Sequence, residues 1–281
     1  SNKLGADVSS EIFYFKKADG SEGAFSTDFA GATVVLGSDI DVIRENGETK
    51  IYVEGIGYKK IEPNSTIYTE SAGQKYIDFT SEFTKLRTLS TNLAGEVAST
   101  QVSLAASGSN YTIDLINQTE LTSFVNIDAS TLSSGGDFYL KNIDTFKSGK
   151  SLIVNYKIPT GTSSYTVPFT KIIMSDSTGQ LNSTEDWGAY AGHGNILWNF
   201  YTEDGAGNPI PYSGTIKTCD LFKGSILAPS ADIVLANSNQ DGNYIGKNVT
   251  GGGGQTHRWD FGGALPNYGA TPADTNGSLE V

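Results

Sequence analysis

The sequence predicts an all-β fold carrying one long flanking α-helix, on three observations. The 281 residues include 33 glycines, 14 tyrosines and 13 phenylalanines but only 18% charged residues, the profile of many short strands joined by tight turns. Most apolar segments are short and alternate with period two, as half-buried strands do. One stretch breaks that rule, with apolar intervals of three and four.

Across 11–76 the pieces EIFYF, GATVVLG, DIDVI, KIYVEG and STIYT are each bounded by Gly, Asp, Asn or Pro, and each reads as a strand. Within 78–99 the residues Phe79, Phe83, Leu86, Leu89, Leu93 and Val97 fall on one stripe of a helix predicted at about 79–98, with Asp78 as its N-cap. An amphipathic helix among strands must bury its stripe, which places it along a flank of the β core. Strands resume at 102–105, 110–116, 124–128, 137–140, 151–158 and 170–175. Their spacing is irregular, which excludes a regular leucine-rich or hexapeptide solenoid and leaves a degenerate one open. After Gly262 the chain is rich in Gly, Pro, Asn and Thr, so a single domain is expected over 6–265, with 266–281 a linker or tail.

The charge balance bounds the partners. With 31 acidic against 19 basic residues the net charge is -12, which argues against nucleic acid and against anionic membrane surfaces. No run of about eighteen apolar residues and no basic start to an apolar segment occurs, so neither a membrane span nor a signal peptide is expected within the chain. Cys219 is the only cysteine, so the fold holds without an intrachain disulfide.

No catalytic constellation stands out. His193 and His257 are the only imidazoles, and no H-x-x-x-H or C-x-x-C spacing supports zinc. Ser225 lies in GSI, without the elbow of a serine hydrolase. Asn237, Asn239 and Asp241, followed by Gly242, match the spacing of a calcium loop. Asn248 stands where a bidentate Glu is required, so the alternatives are a weak calcium site and a plain turn. The loop STEDWGAYAGHGN at 183–195 sets Trp187, Tyr190 and His193 among glycines, outside any strand pattern, and these are the candidate ligand-binding residues. Two readings of it stand side by side: flat aromatic faces for a sugar or protein partner, or a lid that Trp187 folds over the core.

Four blocks carry a family resemblance. WNFYTEDG at 198–205, GSILAPSADIVL at 224–235 and GGGGQTHRWDF at 251–261, in that order and spacing, resemble the choice-of-anchor A, or ice-binding-like adhesive, domain of bacterial surface proteins. YIDFTSEFTKLRTLSTNLAGE at 76–96 resembles that family's helix through Asp78, Phe79, Leu86, Leu89, Ser90 and Leu93. The resemblance implies an irregular right-handed β-solenoid of the ice-binding-protein kind. It also implies an adhesin rather than an enzyme: secreted, anchored to a Gram-positive cell wall, and attached without covalent chemistry to a host or environmental surface, either a glycan or an extracellular matrix protein. The alternatives are an ice-binding protein, which needs a flat repeated Thr or Ala face, and a β-helical polysaccharide-acting enzyme, which needs clustered carboxylates.

Within that frame Ile226, Ala228, Ile233 and Leu235 are expected to point inward, Pro229 to mark a corner, and Asn195 and Asn199 to bond neighbouring strands. His257 matches the family's near-terminal histidine, expected to hold the last turn of chain. The residue two before it is Gln255, where the family pattern is more often acidic. The surroundings of Cys219, IKTCDLFKG, do not resemble those of a thioester cysteine, so a free thiol is expected.

Overall fold

A computed structural model describes residues 2–3, 33–36, 42–53, 57–61, 66–69, 79–146, 149–179, 181–182, 193–257, 259 and 261–268. The chain divides into two compact units, Ser1–Glu82 and Phe83–Glu280. The first holds β1 (Asn2–Lys3), β2 (Thr33–Leu36), β3 (Val42–Glu45), β4 (Glu48–Val53), β5 (Gly57–Ile61) and β6 (Thr66–Thr69). In it β1, β2 and β6 form a parallel sheet, and β3, β4 and β5 an antiparallel meander. The hairpin between β3 and β4 turns at Asn46-Gly47, with φ of 51° and 76°, the left-handed pair that a tight two-residue hairpin requires. The expected strand EIFYF lies outside the described residues.

The boundary between the units falls within the first turn of α1 (Phe79–Ala94). The second unit continues with β7 (Leu104–Ser107), β8 (Asn110–Asp114), β9 (Thr122–Asp128), β10 (Phe138–Lys141), β11 (Ser151–Lys157), β12 (Ser164–Thr166), β13 (Ile172–Ser175) and β14 (Leu181–Asn182). Then come β15 (Ile196–Glu203), β16 (Pro209–Pro211), β17 (Thr215–Lys217), β18 (Ser225–Val234), β19 (Gln240–Asp241), β20 (Tyr244–Thr250) and β21 (Thr256–His257). The described chain is therefore mostly β with one helix. Its largest sheet is a curled parallel half-barrel in the order β12-β17-β18-β15-β11-β9, with β20 also paired to β18 and only β16 antiparallel. A second sheet runs β14-β13-β10-β8-β7.

The central strands β11 and β15 of the main sheet are buried on both faces along most of their length, as the apolar runs in SLIVNYK and ILWNFYTE reflect. On one face Val125, Val154, Trp198 and Ile226 stand in register, inside a core that also takes Phe138, Ile172 and Phe222. As expected, Ile226, Ala228, Ile233 and Leu235 all belong to that core. Pro229 lies where the register of β18 shifts, between Ala228, on the part of the strand paired with β15, and Asp232, on the part paired with β17. Proline lacks an amide to donate, so the break in the ladder falls where a donor is missing.

The other face carries the helix. Leu93 is fully buried with Phe124, Ile153, Leu197 and Leu227, and Leu86, Leu89, Phe261, Leu265 and Tyr268 pack around that cluster. The predicted helix of 79–98 is too long by one turn. Gly95 follows Ala94; its amide donates to the carbonyls of Thr91 and Asn92 at 3.2 and 3.1 Å, and Glu96 N donates three residues back to Leu93 O at 3.1 Å, so the last turn tightens and the helix ends. Val97 therefore leaves the stripe and is 85% exposed, while Phe79 and Phe83 are only half-buried. The apolar contact of the stripe runs from Leu86 to Leu93. Leu93→Ala is expected to destabilise the protein by about 2–5 kcal/mol, as for a cavity in a packed core. Half-buried Leu89→Ala should cost less than about 2 kcal/mol. Urea midpoints of the two variants check the order.

A row of asparagines docks the end of the helix. Asn126, Asn155 and Asn199 are in register on β9, β11 and β15. The Asn155 amide donates to Asn126 Oδ1 at 3.0 Å, and the Asn199 amide donates to Asn155 Oδ1 at 3.0 Å. The same amides donate to the carbonyls of Glu96, Leu93 and Ser90 at 3.0, 2.6 and 2.9 Å, from Asn126, Asn155 and Asn199 respectively. Ser90 Oγ donates to Asn199 Oδ1 at 2.7 Å. Carbonyls of the last helical turn and of the chain just beyond it thus accept from side chains of the sheet. The expected inward turn of Asn199 is present.

Candidate functional site

Of the three candidate ligand residues, Trp187 and Tyr190 lie outside the described residues. His193 opens a short 3-10 turn, His193–Asn195, that leads directly into β15. At its other end the segment leaves β14, which pairs antiparallel with Met174 and Ser175 of β13. Both ends of the loop are therefore held by sheet strands.

The described chemistry concentrates at the C-terminal strands. Lys223 and Asp241 face one another as an isolated parallel bridge, and Asp241 is in register with His257 between β19 and β21. The Lys223 ammonium contacts Asp241 Oδ2, and both side chains are only 3% exposed. His257 Nδ1 lies 3.2 Å from Asp241 Oδ1, and its Nε2 lies 3.1 Å from Gln255 Oε1. An amide oxygen can only accept, so Nε2 carries a proton and donates. His257 does hold the last turn of chain, through Asp241 and Gln255 together.

The backbone fixes this column from both sides. Gly224 N donates to Asp241 O and Asp241 N to Phe222 O, each at 2.9 Å, and Gly242 N donates to His257 O at 3.0 Å. Trp198 Nε1 donates to Lys223 O at 2.9 Å. Gly242 has φ of 143°, and a Cβ there would lie 2.3 Å from Gly224 O, so the neighbouring strands approach at the distance of bare backbone.

This arrangement corrects the calcium reading of Asn237, Asn239 and Asp241. The one carboxylate of the three faces Lys223 and His257, so the cation beside it is the protein's own. Asn237 instead lies against Gly253. Among the described residues no group of three His, Cys, Asp or Glu side chains could hold a metal.

Cys219 is buried in the main core, and burial pushes its thiol well above the ordinary range. Gln240 contacts the Cys219 carbonyl, and its side chain is occupied. Oε1 accepts from Thr218 Oγ1 at 2.8 Å, and Nε2 donates to Cys219 O at 3.2 Å and Ser238 Oγ at 3.0 Å. Elsewhere Lys157 bridges Asp128 and Glu203 at 2.9 and 3.6 Å. A hydrogen bond from the Ser130 hydroxyl, with Lys157 beside it, holds the Asp128 carboxyl below the usual carboxylate range.

The family model of the ice-binding-like adhesive domain matches residues 5–258, across both units. The chain belongs to that family. Among curated proteins nothing matches it. An adhesive domain implies an external ligand and a surface or extracellular setting, and no described helix is long and apolar enough to cross a membrane. Sequence reasoning reached Asp241 and His257 of this adhesive domain singly and missed Lys223. The available signal was a lysine set among apolar residues in LFKGSIL.

Proposed function

We propose that 6–265 is the adhesive module of a secreted, wall-anchored Gram-positive surface protein that binds a host or environmental glycan or matrix protein non-covalently. The observation that carries this reading is the family match over 5–258. Its architecture is read as an irregular right-handed solenoid, because strands separated by unequal stretches of chain return to in-register parallel neighbours, as Asn126, Asn155, Asn199 and Leu227 do. The ice-binding alternative asks for a flat repeated face of Thr or Ala. The row through Thr166 continues instead to Lys217, Val234 and Thr250.

The ligand contact is placed on the 183–195 loop, where Trp187, Tyr190 and His193 stand among Gly188, Gly192 and Gly194 on a segment tied to β14 and β15. Rigid aromatic anchors commonly carry a large share of a binding interface. A glycan and matrix-protein array identifies the ligand class, and no hydrolytic turnover of peptide, ester or polysaccharide is expected beside it. Trp187→Ala with Tyr190→Ala should then weaken adhesion about tenfold or more at an unchanged Tm. Unaltered binding would remove the loop from the interface, and loss of binding together with stability would make Trp187 a core lid.

A further inference from the structure

We propose that Lys223 and Asp241 close an intramolecular isopeptide bond that joins two adjacent turns of the chain. The proposal goes beyond the adhesive reading and does not depend on any ligand. Its first ground is register: the two residues face one another on neighbouring parallel strands, with amide bonds from Gly224 to Asp241 and from Asp241 to Phe222 fixing the backbone on either side. The second is burial. Both side chains are 3% exposed, and two ions held out of water carry a desolvation penalty that a neutral amide does not. A third is the imidazole: His257 Nδ1 sits 3.2 Å from Asp241 Oδ1, while the lysine contacts Oδ2 of the same carboxylate.

The condensation balances without any co-reactant. One proton passes from the Lys223 ammonium to the carboxylate, giving the neutral amine and the neutral acid. The Nζ lone pair attacks Cγ of Asp241 and forms the N–C bond, and negative charge develops on Oδ1. A second proton leaves Nζ and passes through Nδ1 of His257 to Oδ1, the first proton moves from Oδ2 to Oδ1, the Cγ–Oδ1 bond breaks, and Oδ1 departs with both protons as water while Oδ2 remains as the amide oxygen. The product keeps one N–H and one C=O, and both charges are gone. Fixed backbone geometry supplies the proximity that makes an otherwise slow amide formation intramolecular.

The intact mass of the purified full chain tests this directly. The expected mass lies about 18 Da below that of the sequence, one water lost, with a branched peptide linking Lys223 to Asp241 in the digest. Lys223→Arg should carry its full sequence mass. Asp241→Asn should instead lie about 17 Da below its own sequence mass, because the same attack expels ammonia, a readout that a purely structural ion pair would not give. His257→Phe should close more slowly after refolding. A wild-type chain at full sequence mass, or a cross-link mapped to other residues, overturns the proposal, and closure at wild-type rate in His257→Phe overturns the relay assigned to that histidine.

Discussion

Trp198→Ala should lower the stability of the protein by about 3–5 kcal/mol, the usual range for removing a large aromatic from a packed core. Trp198 is 0% exposed and heads the fully buried side chains by size. Its ring lies against Phe138 at 5.2 Å, Phe222 at 5.4 Å and Tyr156 at 6.4 Å between centroids, so it joins the β10 side of the core to the main sheet. Its Nε1 also donates to the carbonyl of Lys223, so the variant loses a buried hydrogen bond in addition to opening the cavity. Trp198→Phe separates the two losses, since it keeps most of the ring and removes the donor. It should cost about 0.5–1.5 kcal/mol, the net worth of one hydrogen bond. A denaturation midpoint for Trp198→Ala corresponding to a loss below about 1 kcal/mol would show that the two sides of the core are not coupled through this ring.

The helix was legible because a three-four apolar spacing is a local signal, carried by Leu86, Leu89 and Leu93 in one stretch of chain. Its end was not, because Val97 continues the same spacing past Gly95, and only the tightening of the last turn, with Glu96 N bonded three residues back to Leu93 O, decides the matter. The buried strand β11 was legible from a local signal as well, the short apolar run at 151–158. The Asn row was not: Asn155 is 29 residues from Asn126 and 44 from Asn199, intervals that share no period, so the alignment exists only once the parallel register is formed. The Lys223–Asp241–His257 column was hidden likewise, its members being 18 and 16 residues apart. Asp241 looked like a calcium ligand because the spacing of Asn237, Asn239 and Asp241 is local information, whereas the lysine that faces it comes from the segment just before β18. Local periodicity predicts elements, and the chemistry between elements depends on register that irregular connections conceal.

Asn155→Asp should destabilise the protein by about 3–5 kcal/mol, as much as an uncompensated buried charge costs, although it preserves the shape of the side chain. Asn155 is fully buried and uses both ends of its amide. Nδ2 donates to Leu93 O and to Asn126 Oδ1, while Oδ1 accepts from Asn199 Nδ2. An aspartate keeps the acceptor and replaces the donor by a second acceptor, which then faces the Leu93 carbonyl and the Asn126 oxygen. Two repulsive contacts take the place of two hydrogen bonds at the point where the helix end meets the sheet. Asn126→Asp is the matched control: that side chain is exposed, water can solvate the new oxygen, and the cost should stay below about 1 kcal/mol. The Asn155→Asp deficit should also shrink as pH falls. An acceptor-lined buried site raises the carboxyl pKa in the folded state above its unfolded value, so the penalty is largest above the folded pKa and declines as protonation restores a donor. Urea midpoints of both variants measured from pH 7 down to about pH 4 read both effects, and a deficit independent of pH would show that the asparagine row does not bind the helix through the donor at position 155.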